Sequence, residues 1–292
     1  MSVKVTRGER IFRVFNTIFM ILMVLVTFYP FYHVLMASFS NPSQIARHTG
    51  LLLTPKGFSL EAYMRVWENP NIGVGYKNTL IYVVAGTAIS MVVSILSSFV
   101  LSRKNLYWKN VLSFFAAFTM FFSGGLIPFY LQVQNMGIAN TRWAILLPAA
   151  ISTYNVIVLR TAFASIPQSL EESARIDGAN DFVILFRIIL PLSIPTLVVI
   201  LLFYSVSQWN SWFNAMIFLR DRELYPLQLF LREILVLSDT SSMMTEIVGD
   251  RAQVGQTIKY ATIIFTTIPI LLVYPFLQRY FIKGMMIGAV KE

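Results

Sequence analysis

Long apolar runs fill most of the chain, and short polar or charged segments separate them. A helix needs about 20 mostly apolar residues to cross the hydrocarbon core of a bilayer. Six runs meet that length, at residues 12–39, 79–101, 111–133, 143–163, 188–219 and 258–281. The pattern predicts an all-α integral membrane protein with six transmembrane helices. Gly124, Gly125 and Pro128 interrupt the third run and Pro148 the fourth. Both are retained as spans with kinks, because neighbouring helices can satisfy the backbone groups such residues release.

The polar connections differ in kind. Segment 40–78 carries Pro42, Pro55, Pro70, Gly57, Gly73 and Gly75, which predicts an irregular course with short helical pieces. Segment 220–257 contains an apolar, helix-compatible stretch at 227–237, read as lying on or dipping into the membrane or as a cap on the bundle.

Composition agrees with burial in lipid. Only 13% of the 292 residues are charged and 56% are hydrophobic, against about 25% charged in soluble domains. The net charge of +9 does not point to nucleic acid. Its basic residues cluster beside apolar runs: Lys4, Arg7, Arg10 and Arg13; Arg103, Lys104 and Lys109; Arg279, Lys283 and Lys291. That is the positive-inside pattern. It predicts a cytoplasmic N-terminus (1–11) and a membrane domain (12–292) in an N-in/C-in arrangement. Segments 102–110 and 164–187 and the tail 282–292 are then cytoplasmic, and 40–78, 134–142 and 220–257 lie outside. The first run is too long for a signal peptide and has no small-residue cleavage site behind it, so it reads as a retained span. Absence of Cys excludes disulfides, thiolate metal sites and Cys nucleophiles.

The spans contain no Asp or Glu at membrane depth, and Arg160 and Arg279 fall where their side chains can snorkel to the cytoplasmic interface. An ion-coupled carrier generally needs intramembrane ionisable groups and is disfavoured, although sodium sites built from backbone carbonyls stay open. His33 and His48 are the only histidines, and there is no HExxH or base placed for a serine nucleophile. This argues against catalysis and a metal site; the leading rival is a standalone secondary carrier or channel, and the second an intramembrane enzyme or an assembly scaffold. What the spans do hold is neutral and polar: Gln208, Trp209, Asn210, Ser211 and Asn214 in the fifth, Tyr154 and Asn155 in the fourth. Buried amides are costly unless paired or set against a wet cavity. Tyr154, Asn155, Gln208, Trp209, Asn210 and Asn214 are therefore candidates for a translocation path. The competing reading is interhelical hydrogen bonding with an aromatic belt.

Between the fourth and fifth spans lies the most informative segment, 166–191. Pro167 precedes a helix-favouring run with Glu171 and Glu172 near its start, and Gly178 breaks it. A helix resting on the bilayer would favour Lys and Arg, whereas paired Glu with small Ser173 and Ala174 suits a protein groove. Glu171-Glu172-Ser173-Ala174, Asp177-Gly178-Ala179, Ile188, Leu190-Pro191 and Pro195 resemble the EAA loop of ABC importer permeases. Ser173 stands where that motif usually has Ala. The stretches 123–128, 140–144 and 278–284 are also similar to MalG-like carbohydrate permeases, in particular to the branch handling lipo-oligosaccharide, aldouronate and alginate oligomers.

This resemblance implies the type I importer permease fold, called MetI-like. It also implies a partner permease, two cytosolic ATPases that carry ATP and magnesium, and an extracytoplasmic binding protein. It implies docking of an ATPase at Glu171, Glu172, Ser173, Ala174, Asp177, Gly178 and Ala179. Glu172 would be the coupling glutamate and Gly178 the turn, with the tail at Gly284, Gly288 and Lys291 reaching the ATPases. The chain has no GxxxxGK[ST] phosphate loop of its own, so no cofactor is expected on it.

Overall fold

A computed structural model describes residues 6–243, 257–272 and 275. Among the described residues, all regular elements are helical. The chain divides into two compact units, Met1–Asn69 with Glu233–Thr267, and Pro70–Arg232 with Ile268–Glu292.

In the first unit, α1 (Arg7–Ser38) begins five residues before the expected span because a capping box sets its start. The Thr6 hydroxyl accepts from the Glu9 N–H at 3.3 Å, and the Glu9 carboxylate accepts from the Thr6 N–H at 2.8 Å. Its most apolar stretch buries nothing inside the chain, so this surface is left to lipid or to another protein. The segment after it is irregular with short helices, α2 (Pro42–Ala46) and α3 (Glu61–Glu68). Ala37, Ile45 and Leu52 pack together with Tyr260, and the Leu52 N–H donates to the Tyr29 hydroxyl at 2.9 Å.

The second unit is organised around α4 (Pro70–Ser102). At 1.5 Å per residue, its 33 residues are about 50 Å long. It starts at Pro70, nine residues before the expected span. Gly75 is needed there for close packing, since a Cβ on it would lie 2.9 Å from the Leu227 Cα. Asn78, Tyr82, Gly86, Ser90, Ser94, Ser98 and Ser102 are all buried and recur every four residues, along a stripe that winds around the helix. Small side chains on that stripe let neighbouring backbones approach closely.

Three expected spans are corrected. Span 111–133 is two helices, α5 (Lys109–Phe121) and α6 (Leu126–Asn135), bent by 115°. Gly125 turns the chain at φ +87°, and Pro128 falls in the first turn of α6, where a missing N–H is tolerated. Span 143–163 is not continuous either. It divides into α7 (Trp143–Leu146) and α8 (Thr153–Ala164), since Pro148 can neither donate nor fit inside a helix. Span 188–219 is broken twice. After α9 (Gln168–Ile176) the chain forms α10 (Asp181–Ile184), and the span's first part is the end of a π turn at Leu185–Ile189 and α11 (Leu190–Leu192). An 86° bend at Ser193 then leads into α12 (Ile194–Trp209), between Pro191 and Pro195. After a second break comes α13 (Phe213–Phe218). The 227–237 stretch belongs to α14 (Leu227–Met243). The last expected span appears as a helix at Thr257–Leu272 (α15); apart from residue 275 its remainder, with the tail, Arg279, Gly284, Gly288 and Lys291, lies outside the described residues.

The break at 147–152 is stabilised from the side. α4 packs chiefly on α8 and α12, and its serines bond both the break and the helix that follows it. Ser90 Oγ donates to the Ala149 carbonyl at 3.0 Å and Ser98 Oγ to the Val156 carbonyl at 2.9 Å. The Ser152 N–H donates to the Tyr204 hydroxyl at 3.0 Å, which lies 2.6 Å from Ser94 Oγ. Tyr204→Phe removes that hydroxyl and leaves two polar groups without it. The expected cost is about 1–3 kcal/mol, read as a lowered unfolding midpoint of the detergent-solubilised protein beside the parent.

Candidate docking helix and polar cavity

Helix α9 ends in a Schellman motif. The Ala179 N–H donates to the Ala174 carbonyl at 2.8 Å and the Gly178 N–H to the Arg175 carbonyl at 3.0 Å, with Gly178 at φ +84°. The Asn180 side chain then caps α10 by accepting from the Val183 N–H at 2.9 Å. An exposed ion pair between Arg175 and Asp181 spans the turn.

The seven sequence-predicted docking residues divide between two faces. Ala174 and Ala179 pack against the apolar cluster that includes Phe99, Leu159, Phe163 and Ile184. Glu171 is half-buried and paired with Arg103. Glu172, Ser173, Asp177 and Gly178 are exposed. A recess of about 480 Å³ opens beside the helix, lined by Arg103, Lys104, Glu171, Glu172 and Arg175 among others. Lys109 Nζ donates to the Ser102 carbonyl at 3.4 Å nearby. Sequence reasoning read Arg103 only as one of a basic cluster. Nothing local links it to a glutamate 68 positions away.

The path candidates also divide. Tyr154, Asn155 and Gln208 line one cavity of about 360 Å³ with Ser152, Tyr204 and Ser207. Asn155 and Gln208 are buried, whereas Tyr154 is 54% exposed. Gln208 Oε1 and Trp209 Nε1 are buried without a hydrogen-bond partner, a costly arrangement. Gln208 is held close to α4, since a Cβ on Gly86 would lie 2.5 Å from its Nε2. Trp209 and Asn210 instead line an apolar groove of about 790 Å³ with Leu80, Phe203, Pro269 and others, and Asn210 Nδ2 donates back to the Val206 carbonyl at 3.0 Å. Asn214 sits on α13, half-buried and away from both linings. Ser152, Tyr204 and Ser207 were not singled out from sequence. Among the described residues, no three His, Cys, Asp or Glu side chains lie close enough to hold a metal ion.

Comparison with known proteins extends this picture. Residues 5–287 match the family described as "Binding-protein-dependent transport system inner membrane component". The chain is 44% identical over 272 residues to the polygalacturonan/rhamnogalacturonan transport system permease protein YtcP of Bacillus subtilis, covering 90% of this chain and 92% of the relative. It is 37% identical over 286 residues to Protein LplC of the same organism, covering 98% and 97%. Among solved structures, it is similar to a chain of a bacterial ABC transporter involved in the import of the acidic polysaccharide alginate. The TM-score is 0.86 at 32% identity, with 96% of this chain and all of that one covered.

Proposed function

The chain belongs to the binding-protein-dependent transport system inner membrane components, and on that premise we propose that it is the permease subunit of an ATP-driven importer of acidic oligosaccharides. It is a multi-pass membrane protein of MetI-like fold. The observation that carries the reading is the likeness in fold, along nearly the whole chain, to the alginate importer chain. The polygalacturonan/rhamnogalacturonan relative points to the same class of uronate-rich cargo.

In this reading six spans are arranged N-in/C-in, and a second permease completes the pore. Two cytosolic ATPases hold the ATP and magnesium, and an extracytoplasmic binding protein delivers the sugar. The exposed Glu172, Ser173 and Asp177 face the ATPase. ATP-driven closure moves α9, rocks the helices packed on α4 and opens the cavity outward, and hydrolysis resets the inward state. A shift of this kind requires a ligand with different affinity for the two states, and ATP on the motor supplies it. The hydroxyls and amides of Ser152, Tyr154, Asn155, Ser207 and Gln208 suit a polyhydroxylated cargo.

The assembled complex should hydrolyse ATP at least about fivefold faster with its binding protein loaded with galacturonate or alginate oligomers, the lower end of ordinary coupling between two sites. Neutral oligosaccharides of equal length should leave the rate near its unstimulated level. Equal stimulation by the neutral series would remove the acidic assignment, and no stimulation by any oligosaccharide would remove the sugar importer.

A further inference from the structure

We infer that the two adjacent glutamates of α9 have different jobs. Glu172 faces outward, whereas Glu171 is tied inward by Arg103, which makes Arg103 a positioning residue for coupling. The inference rests on the importer reading above. Helix α9 lies between the motor it would meet and the bundle it would move, so its attachment to the bundle decides whether a push is transmitted.

That attachment is built around one guanidinium. Arg103, directly after α4, donates through Nη1 to Glu171 Oε2. Its Nε and Nη2 donate to Ser102 Oγ at 3.1 and 2.9 Å, and Nε also reaches the Phe99 carbonyl at 3.3 Å. The guanidinium carbon sits 4.4 Å from the centre of the Phe99 ring, a cation–π distance. Only 18% of the Arg103 side chain and 14% of the Glu171 side chain are exposed. The pair is thus screened less than a surface pair, and the other contacts named for Arg103 are all to the last turn of α4.

The same turn of α4 connects onward. Phe99 belongs to the cluster against which Ala174 and Ala179 pack. One turn back, Ser98 holds the Val156 carbonyl of α8 at 2.9 Å. Two turns back, Ser94 holds Tyr204 of α12. Glu171 therefore joins α9 to the helix whose buried face carries both walls of the polar cavity. Contiguity by itself does not establish coupling, and the test is functional.

Three variants decide it in the whole complex, reconstituted with binding protein and ATPase: Arg103→Gln, Glu171→Gln, and the swap of Arg103→Glu with Glu171→Arg. The readouts are ATPase retained on purification and sugar imported per ATP hydrolysed. Each single variant should keep its ATPase and import about tenfold less sugar per ATP, within the usual range of coupling between sites. The swap should restore most of the ratio. An unchanged ratio in both single variants overturns the inference. So does loss of the ATPase from Glu171→Gln but not from Arg103→Gln, which would make Glu171 a motor contact. If the single variants do not accumulate, the swap decides: a coupled swap supports the pair as a strut, and an uncoupled or absent one overturns it. A parent complex that carries no ATPase at all would instead count against the importer reading.

Discussion

Glu172→Lys should reduce ATP-driven sugar uptake by about a hundredfold while the chain still inserts and still binds its partner permease. Glu172 is exposed on α9 and its neighbour Glu171 is neutralised by Arg103, so Glu172 presents the outward charge of this helix's first turns. A basic residue on the motor would meet Lys in the variant, and placing like charges together at an interface costs several kcal/mol. Each 1.4 kcal/mol is a factor of ten, which gives the expected magnitude. Uptake of labelled oligosaccharide, with the amount of ATPase retained on the complex, measures it. Uptake at the parent level would show that the motor does not rest on Glu172.

The second large effect is expected from Gly86→Leu. A Cβ at Gly86 already falls 2.5 Å from Gln208 Nε2 and 2.6 Å from its Cδ. Gln208 is 2% exposed, so a leucine here must drive its amide into the adjoining cavity or push α12 from α4. Overpacking of this kind costs about 1–3 kcal/mol and occasionally more, and here it falls on the seam that also holds Tyr204 and the 147–152 break. The variant should accumulate poorly in the membrane, and what does accumulate should unfold at a clearly lower temperature. Parent-like yield and midpoint would show that the α4–α12 contact accommodates the added side chain.

Much of this architecture was legible from the order of apolar and polar residues. The runs at 12–39 and 79–101 correspond to α1 and α4, and Pro167 and Gly178 bracket α9. The corrections share a cause. Counting apolar residues measures the length of a run and not its direction, so Gly125, Pro148 and the Pro191–Pro195 pair were visible as interruptions while the 115° and 86° bends were not. The serines at 90, 94, 98 and 102 stood in plain sight at helical spacing. The use of the first three appears only when their neighbours lie beside them. Ser90 holds the Ala149 carbonyl of the break, Ser94 the Tyr204 hydroxyl of α12 and Ser98 the Val156 carbonyl of α8, whereas Ser102 bonds the Phe99 carbonyl of its own helix. Arg103 and Glu171 meet through packing across 68 positions, which no local pattern encodes. The polar cluster 208–214 was one group in sequence because its residues are neighbours in the chain. The break after Trp209 instead sends Gln208 into one cavity, Asn210 to another surface and Asn214 onto α13.

The central claim is that energy reaches this membrane chain from a separate ATPase through α9. The most direct measurement is oligosaccharide uptake into proteoliposomes containing the purified complex, with binding protein outside, and with either enclosed ATP or an imposed proton or sodium gradient. The account predicts accumulation with enclosed ATP, none with either gradient alone, and loss of the ATP-driven signal in Glu172→Lys. Accumulation driven by a gradient in liposomes that contain the chain without any ATPase would contradict it.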